Sequence, residues 1–219
     1  MKRIEIVNVM NLPEDSAKLV SAAMDILARE GYIALSEDKV LLAAGVTEIE
    51  LSKYFGDIAN LKTYCQRKLF QAIKDKEVLL GFSLKNGERF GFDLVAEYLD
   101  HILFELCHNV MMRNLILWSM VERGDILDEI RSYWDALYED LFRQGETFFK
   151  SPTVDFKMSI LQNIGGMLYL FLRESTAADL RSESLDNWDN MVKVSQHMRL
   201  QIKAMFIEDK IFKDRTSLA

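Results

Sequence analysis

The sequence predicts an all-α protein, on three observations. Apolar residues recur at three- and four-residue spacing almost throughout, and no segment alternates strictly for long enough to require a strand. Pro13 and Pro152 are the only prolines among 219 residues, so the long middle is free of helix breakers. Glycines and cap-forming residues fall where the periodic runs stop, as at Gly31, Gly45 and Arg123-Gly124-Asp125. No repeat period is present.

Taken in order, residues 1–12 form an arm whose Ile4, Ile6, Val7 and Val9 have no partner strand. Pro13 fits the first turn of a helix, where its missing N–H is no loss. Leu19, Ala23 and Ile26, with Val20 and Leu27 beside them, give that helix a core-facing stripe up to Gly31. Ser36 is placed to cap a second helix carrying Val40, Leu41 and Ala44 inward. Gly45 then suits the left-handed position that closes a helix. Thr47 caps the next one, and Glu50 completes a T-x-x-E capping box. Leu51, Tyr54 and Phe55 form the inward face of this third helix. Two short helices joined by a Gly-containing turn are the makings of a helix-turn-helix. Asp57 is the cap expected for a long helix, Asp57–Leu80, leading out of this small domain.

Past a loop at 81–91, the pattern predicts helices over Phe92–Cys107, Asn109–Glu122, Asp125–Phe149, Val154–Glu174 and Leu185–Ile207. Ser151-Pro152 marks a turn, Asp125 is expected to cap the helix it precedes, and the polar tail from Lys210 is expected to fray. The domain division that follows is 1–60 and 61–219. Val154–Glu174 is apolar nearly all round, which predicts burial on several sides. Gly165-Gly166 in its middle costs about 1 kcal/mol per residue relative to alanine. Close approach of another helix would offset that; a kink beside a ligand cavity or an intrachain packing site are the alternatives.

Composition bounds the function. With 49% hydrophobic residues the chain can bury a sizeable core, and a net charge of −7 argues against generic adhesion to nucleic acid or acidic membranes. Cys65 and Cys107 form neither a metal spacing nor a disulfide framework, which points to a reducing cytoplasm. The N-terminus lacks a signal-peptide pattern. The best membrane candidate, Ile102 to Val121, is interrupted by Glu105, His108, Asn109, Arg113 and Asn114. A soluble, cytoplasmic protein without a membrane partner is expected.

The stretch from Ser21 to Leu61 carries a pattern. It comprises Ala22-Ala23, Gly31-Tyr32, Ser36, Ala44-Gly45-Val46-Thr47, Tyr54-Phe55 and Leu61, without a gap. In this it resembles the N-terminal domain of TetR/AcrR-type transcriptional regulators, over about forty residues; the remainder matches in length and helical character. The resemblance implies a homodimeric, one-component regulator, most often a repressor, that binds a palindromic operator in double-stranded DNA. The residues it would place at DNA are Ser36, Thr47, Glu48, Ile49, Glu50, Ser52, Lys53, Tyr54 and Lys62. The last two long helices would form a four-helix bundle with a second subunit, through Gly165, Gly166, Leu170, Met198 and Ile202. A small apolar or amphipathic ligand would bind among the later helices. His101, Phe104, His108, Met111, Asn114, Trp118, Trp134, Tyr138, Gln162 and Asn163 are the candidates for lining its pocket, although most large apolar side chains there are expected to be core.

This chain departs from that pattern where DNA would be read. Glu48, Ile49 and Glu50 stand where small, basic or hydroxyl residues are usual, Ser52 replaces a Tyr, and Ile58 replaces a Lys that contacts phosphate in the family. Residues 1–60 hold six Lys/Arg against ten Asp/Glu, whereas DNA affinity comes largely from cations displacing counterions. Two readings follow. In one, Lys53, Lys62 and the Lys2-Arg3 arm hold phosphates, and Glu48 or Glu50 accepts from a cytosine amine. In the other, DNA binding is weak or lost and the dimer binds a ligand or partner.

Catalytic signatures are sparse. Glu105 and His108 form a single E-x-x-H, a spacing that di-iron bundles use twice with further glutamates. There is no phosphate loop, nucleophile elbow or HExxH. No enzyme, metal or cofactor is expected; a helical-bundle metalloprotein is the outside alternative.

Overall fold

Three helices begin where the sequence places their starts, after Pro13, Thr47 and Asp57. The structure is a computed structural model, and it describes residues 12–75, 90–176, 185 and 187–218. α1 (Glu14–Glu30) starts directly after Pro13, whose carbonyl accepts from the Ala17 N–H at 2.9 Å and the Ser16 hydroxyl at 2.8 Å. It ends at Gly31, with φ +80°. A 3₁₀ turn (Tyr32–Ala34) leads to α2 (Glu37–Ala44), α3 (Glu48–Phe55) and α4 (Ile58–Asp75). Then come α5 (Phe92–His108), α6 (Val110–Val121), α7 (Asp125–Phe148), α8 (Phe156–Thr176) and α9 (Trp188–Thr216). The protein is all-α: among the described residues there is no strand. None of the described helices is long and apolar enough to cross a membrane.

The expected arm, the end of the Asp57–Leu80 helix and most of the 81–91 loop lie outside the described residues. Asp57 does cap α4, its Oδ1 accepting from the Asn60 N–H at 2.8 Å. Ser36 takes the extended N-cap backbone conformation, but its side chain makes no capping hydrogen bond. Asp125 is the first residue of α7 instead of its cap; the Gly124 carbonyl accepts the Asp128 N–H at 2.8 Å.

The helices form two compact units. In the first are α1–α4, α6 and α7 up to Ser132, with α1 as the hub on which α2, α3, α4, α6 and the 3₁₀ turn pack. Leu19, Val20 and Leu27 of α1, Val40 of α2, Leu51 of α3, Leu61 of α4 and Leu115 of α6 are buried here. Two buried polar side chains are matched here: Asn114 Nδ2 donates to the Leu27 carbonyl at 2.6 Å, and Trp118, stacked on Tyr32, donates to Glu122 at 2.7 Å.

The second unit holds α5, α7 from Tyr133, α8 and α9. Here α5 packs along α9, and Asp100 accepts from the Ser195 hydroxyl at 2.6 Å and from Arg199 Nε at 2.8 Å. Phe90, Phe148, Phe149, Phe156 and Phe206 form an aromatic cluster, with Phe149 4.9 Å from Phe206 and 5.3 Å from Phe156, centroid to centroid.

Two expectations need correction in this unit. The last helix starts at Trp188 and continues through Lys210 to Thr216 instead of fraying. Its end is tied inward, because Asp209, 1% exposed, accepts from the backbone N–H groups of Lys150 (2.6 Å) and Ser151 (2.9 Å). Lys213 adds an ion pair to Asp209 at 2.6 Å and donates to the Phe148 carbonyl at 3.0 Å. The second correction concerns α8, of which the described residues bury one side and not several. Ile160, Ile164, Met167 and Phe171 turn inward, while Met158, Leu161, Gly165, Gly166 and Tyr169 face outward.

Candidate nucleic-acid interface

The turn between α2 and α3 is built by backbone demand. Gly45 takes φ +66°, ψ +34°, the left-handed conformation in which a Cβ is disfavoured, and its N–H donates to the Leu41 carbonyl at 3.0 Å. Thr47 then begins α3. Its N–H donates to Glu50 Oε2 at 2.8 Å, and its hydroxyl donates to the same carboxylate. The capping box is formed, and those two bonds hold the Glu50 carboxyl below the usual carboxylate range.

With Leu51 buried and Tyr54 and Phe55 half-buried, the opposite face of α3 is fixed by helical geometry. It presents Glu48, Ile49, Ser52 and Lys53, all exposed, with Ile49 at 76%. Lys53 folds back over Tyr54, its Nζ 4.8 Å from the ring centroid and 3.3 Å from the phenolic oxygen. Ser36 is exposed before α2, Thr47 is exposed, and Lys62 is half-buried on α4. On α2, Leu42 is 85% exposed. Of the nine residues expected at DNA, Glu48, Ile49, Ser52 and Lys53 therefore share one solvent-facing surface, and Glu50 is committed to its own helix end.

The ligand-lining candidates divide between the two units. Met111, Asn114 and Trp118 belong to the first, where all three are buried and the latter two are hydrogen-bonded as described. In the second unit, Phe104 and His108 stack on each other at 4.0 Å and are exposed, and Gln162 is exposed. Asn163 donates to the Ser159 carbonyl within α8 at 2.8 Å. His101 and half-buried Glu105 share a face of α5; burial pushes the Glu105 carboxyl up, and His101 and His108 oppose that. Tyr98 and Tyr138 meet edge to face at 6.2 Å, and burial raises both phenols so that they stay neutral. Trp134 is 8% exposed, and its buried Nε1 has no hydrogen-bond partner among the described residues. Among the described residues, no group of three or more His, Cys, Asp and Glu side chains could hold a metal ion.

The residues expected at a subunit contact also separate. Gly165 and Gly166 face outward, and a Cβ built on either meets nothing within 4 Å. Leu170 is half-buried, while Met198 and Ile202 are buried within the second unit. Beyond Trp188 at its start, the outward large apolar residues described on α9 are Leu200, Ile207 and Ile211, and the spacing from Leu200 onward is regular. Their spacing of seven and four residues was available in the sequence as a second stripe. No family model matches the chain, and no curated protein matches it.

Proposed function

We propose that the protein is a TetR-like one-component transcriptional regulator, a repressor that binds a palindromic operator as a homodimer and responds to a small apolar ligand. The observation that carries this reading is the outer face of α3: two short helices on a left-handed glycine turn leave Glu48, Ile49, Ser52 and Lys53 together in solvent. Such a helix is what a major groove admits. Two copies are needed to span half-sites about one helical turn apart.

The outward stripe of α8 (Met158, Leu161, Gly165, Tyr169) and that of α9 (Leu200, Ile207, Ile211) support the homodimer, being apolar surface that the described chain leaves uncovered. Glycine at two helix-interior positions without a neighbour among the described residues fits close approach by a second copy. The substitution Gly165→Ala with Gly166→Ala separates the roles. Each alanine is expected to stabilise the isolated chain by about 0.5–1 kcal/mol through helix propensity. The same pair is expected to weaken self-association, read by sedimentation across concentrations; unchanged association would remove these glycines from the contact.

A ligand in the second unit is supported by the Trp134 indole, whose buried donor has no partner among the described residues. Such a ligand releases DNA only by as much as it prefers the non-binding state.

The test is selection of bound fragments from random duplex DNA at two salt concentrations. A palindromic site whose affinity falls with salt supports the regulator; absence of enrichment at low salt favours the second reading, a ligand- or partner-binding dimer without DNA. That reading draws on the acidic balance of residues 1–60, six Lys/Arg against ten Asp/Glu, and on Glu48 standing exposed on α3. Reversing Glu48 to Lys should raise affinity for any duplex about tenfold at low salt and steepen the salt dependence by roughly one counterion or more. An unchanged affinity would show that this face does not approach the phosphates.

A further inference from the structure

We infer that Ile49 is a specificity-determining residue, which packs against the C5-methyl group of a thymine in each operator half-site. The inference rests on the DNA-binding reading and deepens it by naming what the second position of α3 recognises. Of the polar groups beside Ile49, Glu50 accepts from the Thr47 N–H and hydroxyl through Oε2, which ties that carboxylate to its own helix end, while Glu48 and Ser52 share the exposed face with Ile49. Lys53 lies over the Tyr54 ring. Ile49 extends from the same face, 76% exposed, with no part of the described chain covering most of it.

An isoleucine side chain has no hydrogen-bonding group, so it cannot read a base edge by donor and acceptor pattern. The major groove offers one apolar feature, the thymine methyl, and apolar side chains discriminate by touching it. Ile49 is β-branched and therefore stiff at χ1, which holds its methyl groups in place at little entropic cost. Since Ile49 contributes almost nothing to the core, its replacement tests recognition without unfolding the domain.

The experiment starts from the duplex enriched by random selection. Each thymine is replaced in turn by deoxyuridine, which deletes the methyl group and leaves every hydrogen bond in place. The expected result for the unmodified protein is a loss of roughly fivefold in affinity at one symmetric position per half-site, the scale of one buried methyl group. Ile49→Ala should bind the thymine and deoxyuridine duplexes equally, with the affinity the unmodified protein shows for a duplex carrying deoxyuridine at the sensitive position of both half-sites. If a site is enriched but no thymine is sensitive, or if the sensitivity survives in Ile49→Ala, the inference falls while DNA binding stands. If no duplex is enriched by the unmodified protein, both fall together.

Discussion

Replacing Asp209 with Ala should destabilise the protein by about 3 kcal/mol. The carboxylate is buried and accepts from two backbone N–H groups at the α7–α8 connection. Leaving buried donors unmatched costs about 1–3 kcal/mol each. The lost pairing with Lys213 adds less than a fully buried pair would, because the lysine side chain is 40% exposed and water takes over part of its solvation. A drop in Tm of roughly 6–12 °C follows for a chain of this size. Asp209→Asn, whose Oδ1 can still accept both N–H groups but which carries no charge for Lys213, should lose about half as much.

The same residue gives the stability a pH dependence of known sign. Burial alone would push the Asp209 carboxyl up, but Lys213 and the Lys150 and Ser151 N–H groups together hold it below the usual aspartate value. A depressed carboxyl pKa means the unfolded chain takes up the proton first. Its stabilising contribution is therefore complete above the unfolded value of about 4 and is lost as pH falls from there through the folded value. Thermal melts between pH 3 and 7 should show the difference between the native protein and Asp209→Asn shrinking only at the acidic end. A gap that stays constant down to pH 3 would mean the ion pair contributes nothing.

Asp209 also shows why part of this molecule was legible from sequence and part was not. The Gly45 turn, the Thr47–Glu50 box and the Asp57 cap each involve partners within four residues, so residue type and spacing suffice to place them. The Asp209 bonds close over 58 and 59 residues, and no local pattern reports them. From the sequence, Asp209 fell between the last expected helix, ending at Ile207, and the polar tail from Lys210.

Helix α9 marks the limit in another way. It carries one apolar stripe through Met198 and Ile202 and another through Leu200 and Ile207, and periodicity finds both without ranking them. Packing on α5 buries the first and leaves the second outside. The candidate reading surface divides similarly. Helical phase predicts the outward set Glu48, Ile49, Ser52 and Lys53, whereas Glu50 could have been a reader or a cap until the hydrogen bonds to Thr47 were seen.

Gly145→Ala should destabilise the protein by about 2–3 kcal/mol, against what helix propensity alone predicts. In the interior of an exposed helix this change gains about 1 kcal/mol. At Gly145 on α7, however, a Cβ would lie 2.0 Å from a ring carbon of Phe156. That ring is 2% exposed, stacked on Phe149 and set edge-on to Phe90, so it has little freedom to retreat. Overpacking of this kind typically costs 1–3 kcal/mol and displaces side chains from their preferred rotamers. The cause can be isolated with a double-mutant cycle. Phe156→Leu alone should cost about 1–2 kcal/mol through the lost aromatic packing. Adding Gly145→Ala to that background should cost little more, since the smaller side chain leaves room for the methyl group. The coupling between the two sites is expected to reach about 2 kcal/mol. Additive effects, or a Gly145→Ala protein with a raised Tm, would show that α7 and Phe156 do not meet at this distance in solution.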